Sequence, residues 1–278
     1  MKSDSSTSGD PFSEAGLRKV IEAHTLGRGL IEIHDEIGST NQRARELAMA
    51  GAPEGTLILA EYQTAGRGRL GRTWHSPPGL NIYMSLILTP DLALNRTPLL
   101  TLAAGLAGSE AISRVTGQKP LVKWPNDLIL KDRKVAGILS EMEVQDASVR
   151  FVVLGVGINV NLAASDLPEE LKDLAGSLRI ATGRIWDRGL VLAAFLSELE
   201  KYYELLRQDR RDELLGKYRR VCQNIGRRVR FDRKGILIEG RAVDLDLSGR
   251  LLVEQDKDGR IVPVTSGDVS LLRQNTEK

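Results

Sequence analysis

Residues 63–74 read Gln63-Thr64-Ala65-Gly66-Arg67-Gly68-Arg69-Leu70-Gly71-Arg72-Thr73-Trp74, and what this stretch does decides what the chain can be. Three glycines and three arginines share the seven positions from 66 to 72. Glycine lets backbone approach a ligand closely and adopt positive φ, while arginine supplies fixed charge and a fork of donors for carboxylate or phosphate. Such a loop is built to receive an anion. The literal pattern Gly66-x-Gly68-x-x-Gly71 is also the dinucleotide fingerprint, and Asp91 stands about twenty residues on, where a ribose-binding acid belongs. That reading needs a helix to open at the last glycine. The chain continues instead Arg72-Thr73-Trp74-His75-Ser76-Pro77-Pro78-Gly79, which cannot begin a regular helix. A kinase-type glycine loop would call for H-R-D and D-F-G, and a Walker A loop for Gly-Lys-Ser or Gly-Lys-Thr; none of these occurs. A solvated basic turn explains each glycine and arginine singly but not their density.

Working outward, the apolar run Leu57-Ile58-Leu59-Ala60 predicts a buried strand feeding the loop, and the alternation over 30–34 predicts another before it. Between them Gly38-Ser39-Thr40-Asn41 leads into a helical pattern. All three polar residues are good N-caps, yet capping needs only one, so they can equally hydrogen-bond a small polar head group. Downstream, 80–88 reads as a strand, and Thr97-Pro98 starts a helix of small and apolar residues to about Val115, expected to be structural. Lys123 follows inside an apolar strand and precedes the turn Trp124-Pro125-Asn126-Asp127. Its ammonium either meets an anionic ligand, pairs with a nearby carboxylate, or snorkels to solvent. Residues 131–134 read as a polar hairpin turn into a strand whose Gly137 suggests close backbone approach. The strand over 151–161 carries Gly155 and Gly157 but has Val160 where a fingerprint would need glycine, and Asn159 near its end is a candidate polar contact. Amphipathic helices are expected over 187–206 and 209–221, their charged faces solvated. From Gly226 onward short strands over 228–231, 236–247, 250–254, 261–264 and 268–272, with turns at Ser248-Gly249 and Asp258-Gly259, predict a small appended barrel. At the other end, 12–26 is one short helical stretch closed by Gly27 and Gly29, which is too little for a helix-turn-helix.

Composition narrows the function classes. A net charge of +2 from 39 basic and 37 acidic residues gives no global case for nucleic acid, so any basic function is local. The single cysteine, Cys222, excludes an intrachain disulfide framework and suits a reducing cytoplasm. No apolar run reaches the roughly eighteen residues a membrane span needs, and no membrane association is expected. His24, His34 and His75 are scattered, so no metal-ligand cluster is expected, and no G-x-S-x-G nucleophile elbow occurs. The sequence offers no nucleophile; it offers loops that hold anions.

Five stretches, Gly38-Ser-Thr-Asn41, the loop from Gln63 to Arg72, Lys123-Trp-Pro-Asn-Asp127, Lys134-Val-Ala-Gly-Ile-Leu139 and Gly155-Val-Gly-Ile-Asn159, together resemble the biotin–protein ligases in order and interval. The resemblance covers about Ile31 to Leu272. It implies an α+β catalytic domain like the class II aminoacyl-tRNA synthetases over 30–224, a small SH3-like β-barrel over 225–278, and a disordered lead with a short helix over 1–29. It also implies a two-step reaction: biotin and ATP give biotinyl-5'-AMP and pyrophosphate, then a lysine of a biotin carboxyl carrier protein takes the biotinyl group. Rival readings are a lipoate–protein ligase, which shares fold and chemistry, and a non-catalytic biotin sensor.

By the same resemblance Ser39, Thr40, Asn41, Gln63, Gly66, Arg67, Gly68, Arg69, Gly137 and Gly157 surround biotin, with Lys123 at the reacting carboxylate and phosphate. Arg67, Arg69, Arg72, Trp74, Lys123, Asn126, Asn159 and Arg273 attend the nucleotide. Lys123, Arg67 and Arg69 are the expected catalytic cations, helped by Mg²⁺, because adenylation brings a carboxylate against a triphosphate. The glycine loop is expected to close as a lid and to be poorly ordered without ligand. Bifunctional members add an N-terminal winged helix that binds an operator; with about thirty residues ahead of the catalytic part, ligase activity without DNA binding is expected here. A homodimer is plausible for such a family.

Overall fold

The computed structural model of the protein describes residues 12–233, 235–265, 267 and 269–272. The chain opens with helix α1 (Glu14–Val20), capped by the Ser13 hydroxyl, which accepts from the Gly16 amide. This helix is shorter than the pattern over 12–26 predicts. The next amides are taken instead by the Glu200 carboxylate, which accepts from the backbone N–H of His24 (2.6 Å), Thr25 (2.6 Å) and Leu26 (3.2 Å).

Strand β1 (Ile31–Ile37), helix α2 (Thr40–Met49), strand β2 (Leu57–Gln63) and strand β3 (Ile82–Leu88) follow, then the long helix α3 (Pro98–Thr116). Thr97 makes no side-chain cap and is itself helical, because a 3-10 turn over Leu94–Arg96 already feeds the helix. Strands β4 (Leu121–Lys123), β5 (Asp127–Leu130), β6 (Arg133–Gln145) and β7 (Ser148–Ile158) complete a seven-stranded sheet. Its order is β1-β2-β3-β7-β6-β5-β4, and only β1 and β2 run parallel. Helices α4 (Leu178–Thr182), α5 (Arg188–Arg207) and α6 (Arg211–Val221) come next. A five-stranded antiparallel sheet ends the chain: β8 (Arg228–Arg233), β9 (Ile236–Leu245), β10 (Leu251–Gln255), β11 (Ile261–Val264) and β12 (Ser270–Leu271), in the order β11-β10-β9-β8-β12. The expected architecture of an α+β domain with a small β domain after it is what the chain builds.

Side chains alternate across a strand, so the main sheet has two faces to cover. Helices α3 and α5 cover one, where Leu57, Leu59, Met84, Leu86, Val152 and Leu154 are buried. Helix α2 covers part of the other through Ala44 and Ala48 against Ile58, Ile87, Phe151 and Val153. Strand β3 is therefore buried at all seven positions. Truncating one of these leucines to alanine costs about 2–5 kcal/mol, a large share of a typical domain's stability. On the α2 face the apolar covering stops short, and polar and glycine residues take over. The site lies there. Among the described residues no helix is long and apolar enough to cross a membrane.

Candidate active site

Strands β6 and β7 pair in register, Gly137 opposite Gly157 and Leu139 opposite Gly155, which places a patch without side chains on the α2 face. The patch is needed. A Cβ on Gly157 would meet the Trp74 ring at 2.5 Å, one on Gly137 the same ring at 2.7 Å, and one on Gly155 the Asn41 amide at 2.1 Å. The indole of Trp74 thus lies flat on two glycines, and the Asn41 side chain descends onto the third.

Ser39, Thr40 and Asn41 stand at the start of α2. Ser39 is the N-cap by position, yet its side chain caps nothing, and all three residues are buried. Thr40 donates its backbone N–H (2.9 Å) to Gln63 Oε1, with Thr40 Oγ1 at 3.1 Å from the same atom. Asn41 Nδ2 donates to Glu141 Oε2 (2.7 Å), and Ser85 Oγ lies 2.6 Å from Asn41 Oδ1. Ser39, Thr40, Asn41 and Gln63 border a narrow slot of about 50 Å³ together with Arg67, Gly68, Arg69, Trp74, Asn126, Lys134, Gly137 and Gly157.

The glycine-arginine loop forms the slot's roof. Gly68 N–H bonds the Arg72 carbonyl (2.7 Å) and Trp74 N–H bonds the Gly66 carbonyl (3.0 Å), so the loop folds on itself. Its tip, Leu70, takes φ 58° and is exposed. Gly66 does not border the slot; a Cβ there would meet the Ser76 hydroxyl at 2.9 Å, so its role is the tight backbone packing of the loop's root. Beyond the loop, Tyr83 donates to the Pro77 carbonyl (2.9 Å), and burial pushes its phenol far above the usual range, so it stays a fixed donor. Arg69 reaches from the loop to Asn126 Oδ1 (2.8 Å) and to the Gly267 carbonyl (3.4 Å) of the C-terminal part.

A second chamber of about 470 Å³ adjoins the slot. It is bordered by Arg72, His75, Asp127, Asn159 and an apolar wall of Leu70, Leu162, Leu167, Leu171 and Leu174. Gly68, Arg69, Trp74, Asn126 and Lys134 border both spaces. A third cavity, about 590 Å³, lies between the N-terminus of α3, β6 and the Ser248–Arg250 turn, and meets the slot at Arg69, Ile138 and Leu139. Arg69 is the one residue among those described that borders all three.

The two lysines of this region stand differently toward these spaces. Lys123 borders none of these spaces, whereas Lys134 borders two. Registers align Lys123 with Asp127 and Asp127 with Gly137, so Lys123 is on the correct face but on the edge strand, two strands out. At about 4.8 Å per strand that is roughly 10 Å from the glycine floor. Lys134 fills the gap: its ammonium lies 2.7 Å from Asp127 Oδ1, an ion pair rather than an aligned hydrogen bond, and 5.2 Å from the Trp74 ring centre. Lys134 also does not belong to a turn. Only Lys131 (φ 50°) and Asp132 (φ 62°) form the two-residue hairpin turn, and β6 has already begun at Arg133.

Asn159 donates Nδ2 to the Gly176 carbonyl (2.9 Å) and borders the second chamber. Arg273 lies outside the described residues. Ser85 and Glu141 are near-site residues that the sequence reading passes over as ordinary strand positions, and Asp127 and Lys134, quoted there within motifs, are given no role of their own.

Residues 35–159 match the Biotin/lipoate A/B protein ligase family and residues 225–272 the Biotin protein ligase C terminal domain. The chain is 39% identical over 260 residues to the bifunctional ligase/repressor BirA of Bacillus subtilis, covering 94% of this chain and 79% of that protein. It is 36% identical over 269 residues to the biotin–[acetyl-CoA-carboxylase] ligase of Mycobacterium tuberculosis, covering 95% and 97%. The solved biotin protein ligase from Aquifex aeolicus in complex with biotin and ATP superposes with a TM-score of 0.76 at 34% identity, over 88% of this chain and 99% of that one.

Proposed function

Since the chain belongs to the biotin/lipoate A/B protein ligase family, we propose that it is a biotin–protein ligase that activates biotin with ATP and passes it to a lysine of a biotin carboxyl carrier protein in the cytoplasm. One observation carries the residue assignment: the five residues common to slot and chamber include two cations, Arg69 and Lys134. A carboxylate and a triphosphate must meet where the two spaces join, and that is where positive charge is concentrated.

In the first step a biotin carboxylate oxygen attacks the α-phosphorus of ATP. A new O–P bond forms, the bond to the β-phosphate oxygen breaks, and pyrophosphate leaves. The slot holds the head group by Ser39, Thr40, Asn41 and Gln63, and Arg67, Arg69 and Lys134 offset the charge at the junction. Trp74 and the loop keep water from the mixed anhydride. In the second step the carrier lysine's neutral amine attacks the acyl carbon, the C–O bond to phosphate breaks, AMP leaves, and the nitrogen loses a proton. The third cavity gives that lysine a path which does not cross the nucleotide chamber.

Mg²⁺ fits as an ion brought in by the phosphates. Among the described residues no group of three ligating side chains could hold a metal, and one carboxylate, Asp127, lies beside the junction. When bound, the ion would neutralise phosphate charge.

The test is incubation with ATP, Mg²⁺, labelled biotin and a carrier domain. Label on a carrier lysine is expected. Pyrophosphate release with lipoate in preference to biotin, or biotin binding without any release, would reject the assignment.

A further inference from the structure

Glu141 stands in β6 two residues beyond Leu139, faces the α2 side of the sheet, and does not border the slot. It touches the site only through Asn41, whose Nδ2 it accepts at 2.7 Å. An ionised carboxylate accepts and never donates, so this contact decides which way the Asn41 amide points. Asn41 Oδ1 must then be the atom 2.6 Å from Ser85 Oγ. The Ser85 hydroxyl has one proton and stands near both Asn41 Oδ1 and Thr40 Oγ1, the latter at 2.8 Å. Asn41 Oδ1 has no proton to give, so Ser85 donates there. Thr40 Oγ1 has a share of the same Ser85 proton and gives its own proton to Gln63 Oε1 at 3.1 Å.

Each donor is already committed within the protein: Thr40 to Gln63, Ser85 to Asn41 and Thr40, and Asn41 to Glu141. What remains for a ligand are lone pairs, on Asn41 Oδ1 and Thr40 Oγ1. Gly155 holds the arrangement tight, since any Cβ there would occupy the position of the Asn41 amide oxygen. We propose that Glu141 is a positioning residue that fixes the Asn41 amide and so makes the slot an acceptor for the N–H groups of a cyclic urea. A head group without N–H donors leaves those lone pairs unmatched. The proposal rests on the biotin reading above and deepens it by saying what enforces the choice of substrate.

The experiment uses the full chain and the variants Glu141→Ala, Glu141→Gln, Asn41→Ala and the double variant Glu141→Ala/Asn41→Ala. Biotin affinity is read by titration calorimetry, and kcat and KM by pyrophosphate release. A lost hydrogen bond to a charged group corresponds to a rise of about tenfold in the Kd and KM for biotin in Glu141→Ala. The value of kcat and the KM for ATP should stay within about twofold. Glu141→Gln can still accept from Asn41 but can also let the amide turn over, and should lose about threefold; it serves the same purpose if Glu141→Ala does not fold. In the Asn41→Ala background the Glu141→Ala change should add less than about twofold, because its effect runs through Asn41. Unchanged biotin KM in both folded single variants, or an undiminished loss in the Asn41→Ala background, overturns the proposal. Wild-type protein that neither binds nor adenylates biotin overturns the functional reading beneath it, which is a separate outcome.

Discussion

Replacing Lys134 and Lys123 separately by methionine discriminates between two lysines that look alike in sequence. Lys134 borders both the slot and the chamber; Lys123 borders neither. An ammonium about 4 Å from an anionic oxygen is worth roughly 4 kcal/mol at an effective dielectric near 20. The Lys134 side chain is 33% exposed, so solvent screening brings the usable part to about 2–3 kcal/mol. Arg67 and Arg69 remain in the variant, while Asp127 loses its partner and adds repulsion. Lys134→Met should therefore lower kcat for pyrophosphate release about 30- to 150-fold. Stability should fall by only ~1 kcal/mol, since the ion pair is partly exposed. Lys123→Met should stay within about twofold of wild type. The assay is continuous pyrophosphate detection at saturating ATP and biotin, with thermal melting as the folding control. A collapse in Lys123→Met beside near-normal Lys134→Met would refute the assignment built on strand position.

Gly157→Ala places a Cβ 2.5 Å from the Trp74 ring, so the indole must leave the floor or the strands must part; overpacking of this kind costs about 1–3 kcal/mol. A lower melting temperature, shifted tryptophan fluorescence and a raised biotin KM are expected, and a variant with wild-type values on all three would count against the packing. Amide exchange over 66–73 should slow when biotin and ATP are added together, and exchange already fully protected in the free protein would count against a lid. The Arg43 guanidinium beside Glu32 holds that carboxyl below its usual range, against a smaller opposing effect of burial. A depressed folded-state pKa gives stability that is present above the unfolded pKa, near 4.3, and is lost as pH falls through the folded value. Arg43→Ala should thus cost up to ~1 kcal/mol at pH 7, read by urea unfolding, with the gap to wild type closing below about pH 4; a gap independent of pH would rule the linkage out.

The glycine-arginine loop was legible in the sequence because its glycines and arginines are concentrated in one run that no regular element accommodates. The strand at 57–60, the helix after Thr97 and the short C-terminal strands were legible from periodicity and turn residues. Ser39, Thr40 and Asn41 were only half legible, since the residue types that start helices also bind polar ligands; their partners Gln63, Ser85 and Glu141 lie far away in sequence. How far Lys123 stands from the glycine floor was not legible, because an apolar strand with one lysine looks the same at a sheet's edge as at its centre. Strand order is set by pairings distant in sequence. The turn at Lys131 and Asp132 takes two residues rather than four, and that difference moved Lys134 from a solvent loop into the strand beside the glycine floor. Ser85 and Glu141 were hidden for a related reason, since alternation gives a residue's parity on a strand but not what stands opposite.

One guanidinium, that of Arg69, walls three rooms at once. A ligand that moves Arg69 in one room alters the wall of the other two, which is a physical route for coupling between them. By thermodynamic reciprocity, any effect that acid has on the affinity for nucleotide must be matched by an equal effect of nucleotide on acid, and each must alter the welcome given to an incoming amine. Arg69 is the side chain at which to look for that coupling.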